Sequence, residues 1–138
     1  MSFLIDTNIA ILLRDREAQT LARIGAISGD AFISIVTQVE LEGGVYSKPQ
    51  FTAARRASLD VLMQTLIVLP FDDHALNAYR GIVAARGFVR QRILDRMIAA
   101  TALVFGLPLI TTNGGDFRDV PGLDLEVWPA SDPSTSSG

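Results

Sequence analysis

The sequence predicts an α/β fold in which a central, mostly parallel sheet of four or five strands lies between two layers of helices. Three observations carry that expectation. Short apolar runs at Phe3–Ile5, Ala31–Ile35, Ile67–Leu69 and Leu109–Thr111 alternate with longer amphipathic stretches. Each run is apolar on both faces, the pattern of strands covered from two sides. A chain of 138 residues suits one hydrophobic core rather than two.

In order along the chain, Phe3-Leu4-Ile5 reads as a buried strand running into a helix start at Asp6-Thr7-Asn8. The helix continues from Ile9 to Leu13 and stops near Arg14-Asp15. Ala18 to Ile27 carries Leu21, Ile24 and Ile27 at helical spacing, and Gly29-Asp30 forms a turn. Ala31 to Ile35 is β-rich and reads as the second strand, after which Thr37 opens a helix that Lys48-Pro49 ends. Thr52 to Leu66 is a long amphipathic helix, and Ile67-Val68-Leu69 is the third strand. Asp72 caps a helix running to about Arg86, with Gly87 at its C-terminus. Ile93 to Phe105 is helical, Gly106-Leu107-Pro108 ends it, Leu109-Ile110-Thr111 is the fourth strand, and Leu125-Glu126-Val127 reads as a short fifth. Residues 1–130 thus form one domain, and the Ser, Pro, Thr and Gly of 131–138 read as a disordered tail.

Composition narrows the chemistry. With no cysteine, disulfides, thiolate metal sites and cysteine nucleophiles are excluded. His74 is the only histidine, so a histidine-rich zinc site is excluded as well, and any metal must be a hard cation such as Mg²⁺ or Mn²⁺ held by oxygen. The net charge of −3 argues against a non-specific nucleic-acid binder, although acids clustered around cations would weaken that argument. Of the lysines and arginines all but Lys48 are arginine, which suits bidentate phosphate contacts, although codon bias is the favoured explanation for most of them. A hydrophobic fraction of 49% and a mean hydropathy of +0.31 leave apolar surface for a partner after the core is filled. The longest apolar runs are too short to span a bilayer, and no basic region precedes an apolar stretch at the N-terminus. No membrane association and a cytoplasmic location are therefore expected.

In open parallel sheets, ligands sit beyond the carboxyl ends of the strands. Asp6 follows the first strand directly, and Glu40 lies in the helix after the second. Asn113 and Asp116 follow the fourth, and Asp95 opens the helix that leads into it. Asp6, Glu40 and Asp95 are each set among apolar neighbours, where a carboxylate is unfavourable unless a cation or donor compensates it. Each has a plainer reading: Asp6 as a helix cap, Glu40 as a solvated or arginine-paired side chain, Asp95 as a cap or a partner of Arg92, and Asn113-Gly114-Gly115 as a turn. The acids at Asp15, Glu17, Asp60, Asp72, Asp73, Asp119, Asp124 and Asp132 read as surface charge or helix starts. Glu42 points elsewhere on its helix than Glu40.

Leu4-Ile5-Asp6-Thr7-Asn8 resembles the opening of PIN domains. Ile33-Ser34-Ile35-Val36-Thr37-Gln38-Val39-Glu40-Leu41-Glu42-Gly43 resembles their second acidic motif, Asp95-Arg96-Met97-Ile98-Ala99-Ala100 their third, and Thr111-Thr112-Asn113-Gly114-Gly115-Asp116-Phe117 their fourth. Val120-Pro121-Gly122-Leu123 and Trp128 resemble the close of VapC-type toxins. The resemblance runs from Phe3 to Trp128 with the motifs in order.

It implies a three-layer α/β/α PIN-like fold and a Mg²⁺- or Mn²⁺-dependent endoribonuclease. It further implies the toxin of a type II toxin–antitoxin pair, a homodimer, and a VapB-type antitoxin that covers the acidic pocket. On that reading Asp6, Glu40 and Asp95 hold the metal. Asn113, which has no charge to give, or Asp116 orients the water or completes the outer shell. Metal-activated water displaces the ribose 3′ oxygen without a protein nucleophile. Thr7 bonds a phosphate or the carboxylates, and Arg86, Arg90, Arg92 and Arg96 receive the backbone of a single-stranded RNA loop, such as one of tRNA or rRNA. The basic run before Asp95 fits pairing with acids equally well. A PIN nuclease outside a toxin–antitoxin pair and a non-catalytic, partner-binding PIN domain are the alternatives. A phospho-receiver domain is disfavoured, because the only lysine is Lys48 and the third strand runs into Pro70.

Overall fold

The computed structural model describes residues 1–130; the tail at 131–138 lies outside them. The strands are β1 (Phe3–Ile5), β2 (Ala31–Ser34), β3 (Ile67–Leu69), β4 (Leu109–Thr111) and β5 (Leu125–Val127). The helices are α1 (Thr7–Arg14), α2 (Ala18–Ala26), α3 (Ile35–Tyr46), α4 (Thr52–Met63), α5 (Asp73–Arg86) and α6 (Ile93–Phe105). The sheet has the order β3-β2-β1-β4-β5 and every pairing is parallel. Among the described residues no helix is long and apolar enough to cross a membrane.

Alternation along the strands divides the core in two. Phe3, Ile5, Ile33 and Ile110 point to one face, where Ile9 and Leu13 of α1, Leu41 and Val45 of α3 and Leu59 of α4 pack, with Ile24 of α2 against them. Leu4, Leu69 and Leu109 point to the other, under Ile82 of α5 and Ile98, Ala99 and Ala102 of α6. Burial on both faces holds for β1 and β4, which are buried throughout. The edge strands differ: Ile67 of β3 and Val127 of β5 are exposed, because each has a neighbour on one side only.

Two boundaries depart from the pattern in the sequence. Ile35 continues the apolar run of β2, yet it is the first residue of α3. The hydroxyl of Ser34 accepts the Val36 N–H at 3.1 Å and caps the helix, so the strand ends one residue early and Thr37 lies within the first turn. Similarly, α4 stops at Met63 rather than Leu66, and buried Leu66 belongs to the connection into β3. Other signals act as expected: Asp72 accepts the Ala75 N–H at 3.1 Å, and Gly106 takes the left-handed φ of 63° that ends α6.

The strand order places β1 at the centre. From it the chain builds outward through β2 and β3, then returns to its other side with β4 and β5. The β1/β4 junction is therefore the switch point, and the crevice beyond its carboxyl ends is where this architecture leaves room for a ligand.

Candidate functional site

Asp6 closes β1 at that junction and is 3% exposed. Its backbone N–H donates to the Ile110 carbonyl at 3.2 Å, so the strand pairing itself fixes the residue. Its side chain caps α1, one oxygen accepting the Ile9 N–H at 2.9 Å and the other the Thr111 hydroxyl at 2.5 Å. Capping and a place in the site are therefore not alternatives for Asp6. Burial pushes its pKa above the ordinary aspartate value. The bonds from Thr111 and Ile9 oppose the rise, while the negative charges of Asp116 and Glu40 add to it.

Glu40 sits on α3 and accepts the Thr7 hydroxyl at 2.6 Å. Thr7 has one hydroxyl proton, which is committed to Glu40, so the buried Thr37 hydroxyl 3.1 Å away is the donor to Thr7. This Thr37–Thr7–Glu40 relay ties α1 to α3 and orients the carboxylate; no arginine pairs with Glu40 among the described residues. Glu42, by contrast, is bound to Arg56 at 2.6 Å, away from the site.

Asp95 stands half-buried in the first turn of α6 and does not cap it: Arg92 occupies the cap position and makes no capping bond. Its pKa is pushed up to about 6, first by burial, then by the charges of Asp116, Asp6 and Glu40. Asp116 closes the single turn Gly114–Asp116 after β4 and accepts the Asn113 side-chain amide at 2.7 Å. Asn113 in turn donates its backbone N–H to Thr111 Oγ1 at 2.9 Å. Four remote segments thus bring Asp6, Glu40, Asp95 and Asp116 within electrostatic reach of one another, with Asn113 beside Asp116. As they lie, no three acidic or histidine side chains among the described residues stand at coordinating distance from a common point.

Arginines fare differently from the expectation. Arg90 is exposed in the single turn Arg90–Arg92 before α6, and Arg92 is bound at 3.6 Å to Asp119. Arg96 is not available to RNA: it is 2% exposed, donates to the Gly87 carbonyl and pairs with Asp119 at 3.3 Å. Its place one residue after Asp95 turns it about 100° around the helix, into the α5–α6 packing. Arg86 donates its Nε to the Asp119 carbonyl at 2.7 Å but stays exposed. Asp119 is accordingly no surface charge. The sequence reading also missed Thr111, whose signal was available: a strand-ending threonine opposite Asp6 once β1 and β4 pair. Arg118, exposed beside the Asn113–Asp116 turn, lies so close over Gly114 that a Cβ there would stand 2.8 Å from its guanidinium.

A separate apolar cavity of about 410 Å³ lies between α2 and the β4/β5 side of the sheet, lined by Phe3, Ile27, Pro108 and Trp128. None of the four acids faces it.

With this geometry in view, comparisons with known proteins become specific. A family model described as the PIN domain matches residues 3–123. The tRNA(fMet)-specific endonuclease VapC of Shigella flexneri is 31% identical over 93% of this chain and 98% of that protein. Ribonuclease VapC1 of Rickettsia felis is 30% identical over 96% of this chain and all 100% of that one. Among solved structures, the DNA-bound VapBC complex of Salmonella typhimurium contains a chain 26% identical, with a TM-score of 0.81 over 93% of this chain and 98% of that one.

Proposed function

The chain belongs to the PIN domain family and groups with its VapC members, and from that premise we propose that it is a divalent-metal-dependent endoribonuclease, the toxin half of a type II toxin–antitoxin pair. The convergence of Asp6, Glu40, Asp95 and Asp116 at the switch point of the sheet is the observation that carries the reading. Names given to the relatives support RNA as substrate and, for the Shigella flexneri protein, tRNA as its class. The VapBC complexes among the similar structures support a VapB-type antitoxin as partner.

The donor set fits Mg²⁺ or Mn²⁺. It is all oxygen, and two of its carboxylates are held in the protein at raised pKa by burial and mutual repulsion, which a divalent cation relieves. Asp6, Glu40 and Asp95 would hold the ion, with Asp116 and Asn113 around it. When bound, such an ion would neutralise the scissile phosphate and lower the pKa of water.

The protein's own part is positional. Thr111 and the α1 N-terminus keep Asp6 facing the crevice and favour its ionised form. Thr7, held by Thr37, fixes one oxygen of Glu40 and leaves the other free. Asn113 holds one oxygen of Asp116 by its side-chain amide, which leaves the other to orient water. Arg90 and Arg118, both exposed, are the candidates to receive flanking phosphates. Exposed Val39, Phe88 and Leu94 offer apolar surface to a second copy of the chain.

The test uses purified protein with a structured RNA and rising Mn²⁺. Wild type is expected to cleave, and Asp6→Asn and Asp95→Asn to keep their circular dichroism while losing cleavage. Undiminished Mn²⁺-dependent cleavage by both variants would remove the reading.

A further inference from the structure

Three arginines of the α5–α6 hairpin converge on one aspartate outside the acidic site. Arg96 binds Asp119 Oδ2 at 3.3 Å, Arg92 approaches Oδ1 at 3.6 Å, and Arg86 donates to the Asp119 backbone carbonyl at 2.7 Å. Arg96 also donates to the carbonyl of Gly87, the residue that ends α5 with a left-handed φ of 83°. Arg96 Nε and Asp119 Oδ1 are nonetheless buried without a hydrogen-bond partner. A pair with one buried partner, Arg96, one half-buried partner, Asp119, and unmet bonds adds little stability beyond what well-packed apolar side chains would give. Its energetic sense must come from what it holds.

What it holds is set by the two segments it joins. Arg96 follows Asp95 directly on α6, and Asp119 lies three residues after Asp116 in the segment leaving β4. The repelling pair Asp95–Asp116 and the attracting pair Arg96–Asp119 are therefore carried by the same two stretches of chain, side by side. Left to the carboxylates alone, the turn bearing Asp116 would swing away from α6. We infer that Arg96 and Asp119 form a clasp, two positioning residues that hold Asp116 against Asp95 in the absence of a cation. Its catalytic consequence rests on the function proposed above; the clasp itself does not.

The competing explanation is also visible: Phe117 and Val120, both buried against α5 and α6, could anchor the segment unaided. The amides of Asp116, Phe117 and Arg118 separate the two, since they donate to Asn113 and Gly114 carbonyls within the turn that would loosen. Hydrogen exchange at these amides is measured in chelator on wild type, Asp119→Asn and Asp119→Asn with Asp116→Asn. Asparagine keeps an acceptor for Arg96, so the fold is retained. A clasp predicts faster exchange in Asp119→Asn and recovery toward the wild-type rate in the double variant, whose Asp95–Asp116 repulsion is gone. Unchanged exchange in the single variant, or loosening that the second substitution does not reverse, overturns the clasp.

In the cleavage assay Asp119→Asn is expected to lower kcat between about 10- and 100-fold with KM little changed. Arg96→Lys, which keeps the charge, is expected to fall between it and wild type. Equal kcat at a temperature where all are folded overturns the positioning role. A wild type that cleaves no RNA and binds no Mn²⁺ removes the proposed function instead, and the exchange arm still decides the clasp.

Discussion

Replacing Asp95 with Asn should make the metal-free protein more stable while abolishing its activity. Folded Asp95 keeps its proton up to about pH 6, whereas the unfolded chain releases it near 3.8. The folded state is thus the tighter proton binder between those values. Stability falls as pH rises through that window and stays at the reduced level above it. The full shift of about 2 pH units corresponds to roughly 3 kcal/mol. Asp95 is only half-buried, so solvent screening reduces the realisable part to about 1–1.5 kcal/mol. For a domain of this size that is a rise in Tm of about 3–6 °C. Thermal unfolding by circular dichroism in chelator at pH 7.5 measures it. The gain should shrink on acidification and vanish near pH 4, where wild-type Asp95 is protonated in both states. An Asp95→Asn variant with a lower Tm at pH 7.5, or a gain independent of pH, would refute the reasoning, because the charge would not then be the source of the strain.

Further expectations follow from the same contacts. Thr111→Val leaves a buried Asp6 oxygen without its donor and should lower stability by about 1–3 kcal/mol, read as the midpoint of urea unfolding, together with a fall in kcat. Glu42→Gln breaks only the exposed pair with Arg56 and should change stability by less than about 1 kcal/mol and cleavage not at all, whereas Glu40→Gln should abolish cleavage in the same assay. Ser34→Ala removes the α3 cap and should destabilise by about 1 kcal/mol in chemical denaturation. Arg90→Ala should raise KM, leave kcat in place and reduce the salt slope of RNA binding by about one unit in filter binding.

The strands and most helices were legible because their signals are local. An apolar triplet before Asp6, a glycine after Phe105 and an aspartate before α5 each act through neighbouring backbone. Ile35 shows the limit: its β-branched side chain extends the strand pattern, and only the Ser34 hydroxyl turning back to Val36 decides that the helix has begun. The acids were legible for a different reason, since their distance from strand ends fixes which edge of the sheet they reach. Thr111 was hidden because its role depends on register, with Ile5 opposite Ile110 bringing Asp6 beside it. Arg96 was misplaced because adjacent helical residues face different partners. Nothing in the sequence states that Asp119, far along the chain, closes over the α5–α6 hairpin.

That misplacement changes the electrostatic account of RNA binding. Of the arginines expected to meet phosphate, Arg92 and Arg96 pair with the Asp119 carboxylate, whereas Arg86, which donates to its backbone carbonyl, and Arg90 remain exposed. The chain is acidic overall and concentrates four carboxylates where a phosphodiester would lie. On the proposed function a divalent cation would offset that charge, and RNA binding and cleavage should share one metal requirement. If Arg92 and Arg96 serve the fold so that the acids stay together, a protein of net negative charge would meet a polyanionic substrate through the cation the acids hold.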